Sequence, residues 1–140
     1  MMISTKGRYA LRMMADLASQ EPGVYTPLKD MAVRQDISQK YLESIMTSLS
    51  KSGLVDSLHG KSGGYKLNRA PEDYKVMEIL TVTETSMVPV SCLQEGAEPC
   101  DRAEYCKTLP MWKKFNDNIQ NFFGNITLDD IAKGNLPQDL

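Results

Sequence analysis

Near the start of the chain the apolar positions Ala10, Leu11, Met14, Leu17 and Ala18 recur at intervals of three and four, which draws one buried face on a helix over residues 5–19. Glu21-Pro-Gly23 ends it. Thr26 followed by Pro27 reads as a helix cap with proline at the first helical position, and Leu28, Met31 and Ala32 give a second, short helix stopping near Gln35. After a turn at Asp36-Ile37, Ser38 caps a third helix whose stripe is Leu42, Ile45, Met46 and Leu49, with Gly53 as its stop. Two short helices joined by a tight turn form a helix-turn-helix.

The spacing then changes to alternation. Leu54 to Leu58 and Tyr65 to Leu67 read as strands, and the glycine-rich run from His59 to Gly64 suits the loop of a hairpin wing. Val76, Ile79 and Leu80 mark a fourth helix over residues 75–84, expected to pack the wing onto the first helix. From Thr85 through Cys106 no period holds, and a stretch of that length without its own structure is usually functional or disordered. Beyond it Leu109, Trp112, Phe115, Ile119 and Phe122 lay an aromatic stripe on a long helix running from a Thr108 cap to Gly124. Thr127-Leu-Asp-Asp130 resembles a capping box opening a short last helix through Ala132.

The expected fold is mainly α: a winged helix-turn-helix domain with a two-stranded β-wing at 1–84, a cysteine-bearing loop at 85–107, and a long C-terminal dimerisation helix with a short final helix at 108–140. In a chain of 140 residues the aromatic stripe has few places to be buried. The simplest cover is a two-fold partner presenting Trp112, Phe115, Ile119 and Phe122 in the same way; folding back onto the same chain is the alternative.

The net charge of -2 conceals a partition. Residues 1–69 carry ten Lys or Arg against six Asp or Glu, whereas residues 70–140 carry six against twelve. The first half is suited to a polyanion, although so modest an excess also fits an ordinary solvated surface. No apolar run approaches the roughly 20 residues of a membrane span, and no apolar core with a small-residue cleavage site opens the chain. The expected location is cytoplasmic, with reduced thiols.

A helix-turn-helix sets the N-terminal part of its second helix in the major groove, and the residues there facing away from the core are Ser38, Gln39, Lys40, Tyr41, Glu43, Ser44 and Thr47. Glu43 beside a polyanion is repulsive unless it accepts from a cytosine amino group; otherwise it is an exposed helix residue. On the wing, His59, Gly60, Lys61, Ser62 and Lys66 offer charge, hydroxyl and close backbone approach, while Lys6, Arg8 and Arg12 could hold a flanking phosphate. His59 is the sole histidine, so a catalytic triad or a histidine-rich zinc site lacks material, and no phosphate or dinucleotide loop is present. The chain does not read as an enzyme.

All three cysteines lie in one stretch, with seven residues between Cys92 and Cys100 and five between Cys100 and Cys106. Three thiolates on one loop suit zinc or an iron-sulfur cluster, and the odd count argues against a closed disulfide framework. Inert small side chains, or thiols that sense oxidants, are the alternatives.

Ile3-Ser-Thr-Lys-Gly-Arg-Tyr-Ala10, Tyr41-Leu-Glu43 within Ser38 to Glu43, Gly53-Leu-Val55, Gly63-Gly-Tyr65, Trp112 and Asn125-Ile-Thr-Leu128 stand in an order that resembles the Rrf2 family of bacterial winged helix-turn-helix repressors. The resemblance runs from Met1 to about Ile131. It implies a homodimer on a partly palindromic double-stranded DNA operator, the long helix forming the dimer seam and each wing entering the minor groove. It places Glu43 in base discrimination with Ser38, Lys40 and Tyr41 beside it, and makes Cys92, Cys100 and Cys106 ligands of a two-iron or four-iron cluster. Such a cluster would let the regulator sense iron, cluster status, redox state or nitric oxide. Two departures touch the fourth ligand: Leu109 stands where the cluster-assembly branch has histidine, and Arg8 where the nitric-oxide branch has aspartate. Asp101, Glu104, Glu98 or an exogenous molecule remain. His59 replaces a minor-groove arginine of the cluster-assembly branch. The cysteine-metabolism branch implies another switch, through a regulatory partner protein or thiol oxidation.

Overall fold

The computed structural model describes residues 2–140. Helices α1 (Thr5–Ala18), α2 (Leu28–Gln35) and α3 (Gln39–Lys51) are followed by strands β1 (Val55–Leu58) and β2 (Gly64–Leu67), then α4 (Val76–Thr83), α5 (Leu109–Gly124) and α6 (Leu128–Lys133). The two strands pair antiparallel, with Val55 opposite Leu67 and Leu58 opposite Gly64. This is the mainly helical winged helix-turn-helix expected from the apolar spacing.

The core is one cluster in which Ala10, Met13, Met14 and Leu17 of α1 meet Met31 of α2 and Leu42, Ile45, Met46 and Leu49 of α3. Leu54, Val55 and Tyr74 join it from the wing and the segment after it. Ser38 caps α3 as expected, its Oγ accepting the Tyr41 amide at 3.2 Å. Asp36, which ends α2, takes the left-handed conformation that aspartate tolerates. The capping box at α6 is present in both halves: Asp130 N–H donates to Thr127 Oγ1 at 3.0 Å, and Thr127 N–H donates to Asp130 Oδ2 at 2.8 Å.

Two local expectations are corrected. Thr26 does not cap α2; it is buried and exchanges backbone hydrogen bonds with Tyr65 at 2.8 and 2.9 Å, leaving Pro27 at the cap position. A long-range strand bridge outcompetes a local cap here, and it explains Gly64, where a Cβ would run into the Thr26 carbonyl. Thr108 makes no side-chain cap on α5, because its hydroxyl is drawn back toward Cys106. The wing reaches α1 directly through β2, while α4 packs on α1, α3 and α5.

The apolar pattern carries no sign of a buried charge on α1. The Asp16 side chain on α1 is 3 % exposed and takes a two-pronged bond from Arg34 of α2, with Nη2 at 2.7 Å and Nε at 3.1 Å. Gln35 Nε2 adds a third donor at 2.9 Å. The clamp fixes the angle between α1 and the helix-turn-helix. Arg34→Ala should cost about 2 kcal/mol in urea unfolding, discounted for water on the arginine side, because it strands a buried carboxylate.

Candidate nucleic-acid interface and cysteine loop

The apolar stripe of α3 turns toward α1, so Ser38, Gln39, Lys40, Glu43, Ser44 and Thr47 point outward and are exposed. Tyr41 is half-buried and meets the Tyr9 ring edge-on at 5.7 Å, which fastens the start of α3 to α1. The Thr26–Tyr65 bridge draws the hairpin against the start of α2. Together these place α3 and the wing on the two sides of a groove of about 470 Å³. Gln39 and Glu43 come from α3, His59, Gly60 and Lys61 from the wing, and Lys29 from α2. Glu43 is the one acidic side chain lining this groove among the described residues. Ser62 is exposed on the wing loop beside Lys61.

Not every residue singled out from the sequence gathers there. Lys66 lies over the Tyr25 ring at 4.7 Å and lines a different hollow, beside Leu17 and Asp56. Strand alternation sends it to the opposite face from Tyr65. Lys6 Nζ donates to Ser48 Oγ of α3 at 3.1 Å, bracing the recognition helix from α1. Arg8 is exposed and bonds Thr5 Oγ1 at 3.1 Å, whereas Arg12 donates to the Gln35 carbonyl and covers the Tyr9 ring. Lys29 was missed; its signal was a lysine in the first turn after Pro27, but only the bridge to Tyr65 carries that turn to the wing.

Between α4 and α5 the chain has no regular element beyond one helical turn at Ser91–Leu93. Cys92 and Cys100 are exposed, Cys106 is half-buried, and all three are free. Among the described residues no three His, Cys, Asp or Glu side chains are gathered as a metal site. The donor chemistry nevertheless suits a soft iron centre, with three thiols between α4 and α5, Cys92 on the single helical turn and Cys100 and Cys106 outside any helix or strand. The Cys106 thiol lies 3.4 Å from the Thr108 hydroxyl. That hydroxyl and the backbone amides at the start of α5 hold the thiol below its ordinary range, with Arg102 adding a small electrostatic pull.

On α5 only Ile119 of the aromatic stripe is buried. Phe115 is 45 % and Phe122 42 % exposed, Met111 beside them is exposed as well, and Trp112 is partly covered.

Over residues 3–134 the sequence matches the Rrf2 family, described as an iron-dependent transcriptional regulator. It is 36% identical over 132 residues to the HTH-type transcriptional regulator IscR of Pectobacterium carotovorum, covering 94% of this chain and 79% of the relative. The solved structure of CymR, the global cysteine regulator of B. subtilis, superposes with a TM-score of 0.76 at 34% identity, covering 96% of this chain and 98% of that one. IscR of T. potens superposes with a TM-score of 0.73, also at 34% identity, covering 96% and 88%.

Near neutral pH, Cys106 should react with iodoacetamide faster than Cys92 or Cys100, since a lowered pKa raises its thiolate fraction. Thr108→Val should slow it by letting that pKa rise. Timed alkylation with peptide mass mapping checks both.

Proposed function

This chain belongs to the Rrf2 family of transcriptional regulators, and from that premise we propose that it is a cytoplasmic homodimeric repressor whose operator affinity is set by an iron-sulfur cluster on Cys92, Cys100 and Cys106. That it is a DNA-binding regulator and not an enzyme follows from the family. The observation that carries the finer reading is the position of three free thiols on an irregular loop between the DNA-reading head and a helix with an exposed aromatic face.

On DNA, the start of α3 enters the major groove with Ser38, Gln39, Lys40, Tyr41, Glu43, Ser44 and Thr47, aided by the positive end of the helix dipole. Glu43 accepts from a cytosine amino group, and Lys29 and Lys61 flanking it neutralise phosphate. The wing tip, His59 to Ser62, follows the backbone into the minor groove. Lys6 and Arg8 act from α1, Lys6 chiefly by bracing α3. Lys66 lies on the far face of the ribbon from this groove and contributes by anchoring the wing on Tyr25.

The exposed faces of Met111, Phe115 and Phe122, with Trp112 and Ile119, support pairing with a second copy, which would remove this apolar surface from water. The three thiolates would hold the cluster, with Asp101, Glu104, Glu98 or an exogenous molecule in the fourth position. When bound, the cluster supplies a link whose integrity depends on iron and redox state. The loop passes through Lys107 and Thr108 straight into α5, so drawing its cysteines together bears on the pairing helix.

A second reading keeps the DNA-binding function and makes the thiols themselves, or a partner protein, the switch. The similarity to a cysteine regulator and the lowered Cys106 thiol favour it. Peroxide treatment followed by mass spectrometry separates the two, since a thiol switch yields sulfenic acid or a disulfide without iron.

Anaerobic reconstitution with iron and sulfide should give a visible chromophore and alter operator binding at fixed salt, and Cys100→Ala should abolish both; an unchanged Cys100→Ala protein contradicts the cluster. Lys61→Ala, which removes one phosphate contact from each chain of the dimer, should lower the salt-dependence slope of binding by about two while sparing sequence preference. Glu43→Ala should relax preference at one base pair by about 1–3 kcal/mol, read by competition among duplexes.

A further inference from the structure

The cysteine loop begins at Thr85, immediately after Glu84, the residue that ends α4. The Glu84 carboxylate crosses to the start of α1. Ser4 N–H donates to Oε1 at 3.1 Å and Oε2 at 3.3 Å, and the Ser4 hydroxyl donates to Oε1 at 2.8 Å. The same Ser4 Oγ accepts the Gly7 amide at 3.0 Å, so one carboxylate holds the cap of α1 at the end whose unpaired amides favour negative charge. The approach is so close that a Cβ on Gly7 would run into Glu84 Oε1. A glycine inside the first turn, where its intrinsic propensity is poor, thus leaves room for the carboxylate, and a Cβ there would push it off Ser4.

The first turn of α1 also touches the recognition helix. Lys6 Nζ donates to Ser48 Oγ at 3.1 Å, and that hydroxyl donates to the Ser44 carbonyl at 3.2 Å. Ser44 is exposed, on the face of α3 proposed above to meet DNA. The loop is therefore joined to the reading helix by a short continuous path: Glu84, Ser4, the first turn of α1, Lys6 and Ser48.

We infer that Glu84 is a positioning residue that couples the cysteine loop to the DNA-reading head. When the loop is drawn in or released, the end of α4 shifts, the carboxylate carries Ser4 with it, and the first turn of α1 re-aims α3 through Lys6. Helices packed as α1 and α4 are accommodate such a change by a small slide. Coupling requires that the bond set at Ser4 differ in strength between the two arrangements of the loop. The inference rests on the loop being the input of the regulator and is independent of what the loop binds.

The test uses the full chain and a duplex selected from a random pool by wild-type protein. Iodoacetamide enlarges the three free thiols without any metal, and Kd is compared with that of untreated protein at fixed salt. Wild type should change by about fivefold or more on alkylation, whereas Glu84→Ala and Gly7→Ala should change by less than about twofold. Glu84→Gln, which keeps the size and one acceptor, should retain part of the response. A role confined to capping lowers both affinities together and preserves their ratio. That result, or a wild-type affinity indifferent to alkylation, overturns the inference. The cluster reading fails on a different observation, the absence of a chromophore with iron and sulfide.

Discussion

The packing of α1 against α3 is the contact on which the rest of the molecule depends. Met13 and Met14 are fully buried against Leu42, Ile45, Met46 and Leu49, and apolar burial is the main force ordering so short a recognition helix. Methionine suits this role because its unbranched side chain fills irregular gaps between crossing helices. With that face committed, the opposite face of α3 has one place to go, outward beside the wing. The Asp16–Arg34 clamp sets α2 on the same helix, and β2 and α6 also lean on α1. One helix therefore fixes both sides of the groove between α3 and the wing.

The same core sets a limit. It is filled by α1, α3, the wing root and the segment around Tyr74, and Leu128 returns from the C-terminal region to complete it. Little apolar surface remains for α5, which buries Ile119 and leaves Phe115 and Phe122 partly exposed. A second copy is the economical cover under the proposal above. In that arrangement α5 pairs the chains, the cysteine loop feeds α5 at one end and Glu84 at the other, and α1 stands between the loop and the reading helix. Sensing and reading are then separated in sequence but linked through two short contacts.

What could be read from the sequence is what depends on neighbours along the chain. The stripe and cap of α3, the hairpin and the Thr127–Asp130 box follow from spacing and local hydrogen bonding, and each took the expected form. The features missed depend on residues far apart. Thr26 looks like a cap until Tyr65 claims its backbone; Asp16 looks like a surface aspartate until Arg34 arrives from 18 positions later. Gly7 looks like a weak spot in a helix until Glu84, 77 residues on, closes over it. Among the candidate readers, Gln39, Glu43, His59 and Lys61 share one groove. Lys66 does not, because strand alternation, invisible to a count of positive charges, turns it away.

Native mass spectrometry of anaerobically prepared protein with its selected duplex tests the account most directly. It predicts two chains per duplex, each carrying the added mass of a two-iron or four-iron cluster, with that mass absent when Cys92, Cys100 and Cys106 are all replaced by alanine. One chain per duplex, or two chains bound with no added mass under any iron and sulfide supply, would contradict it.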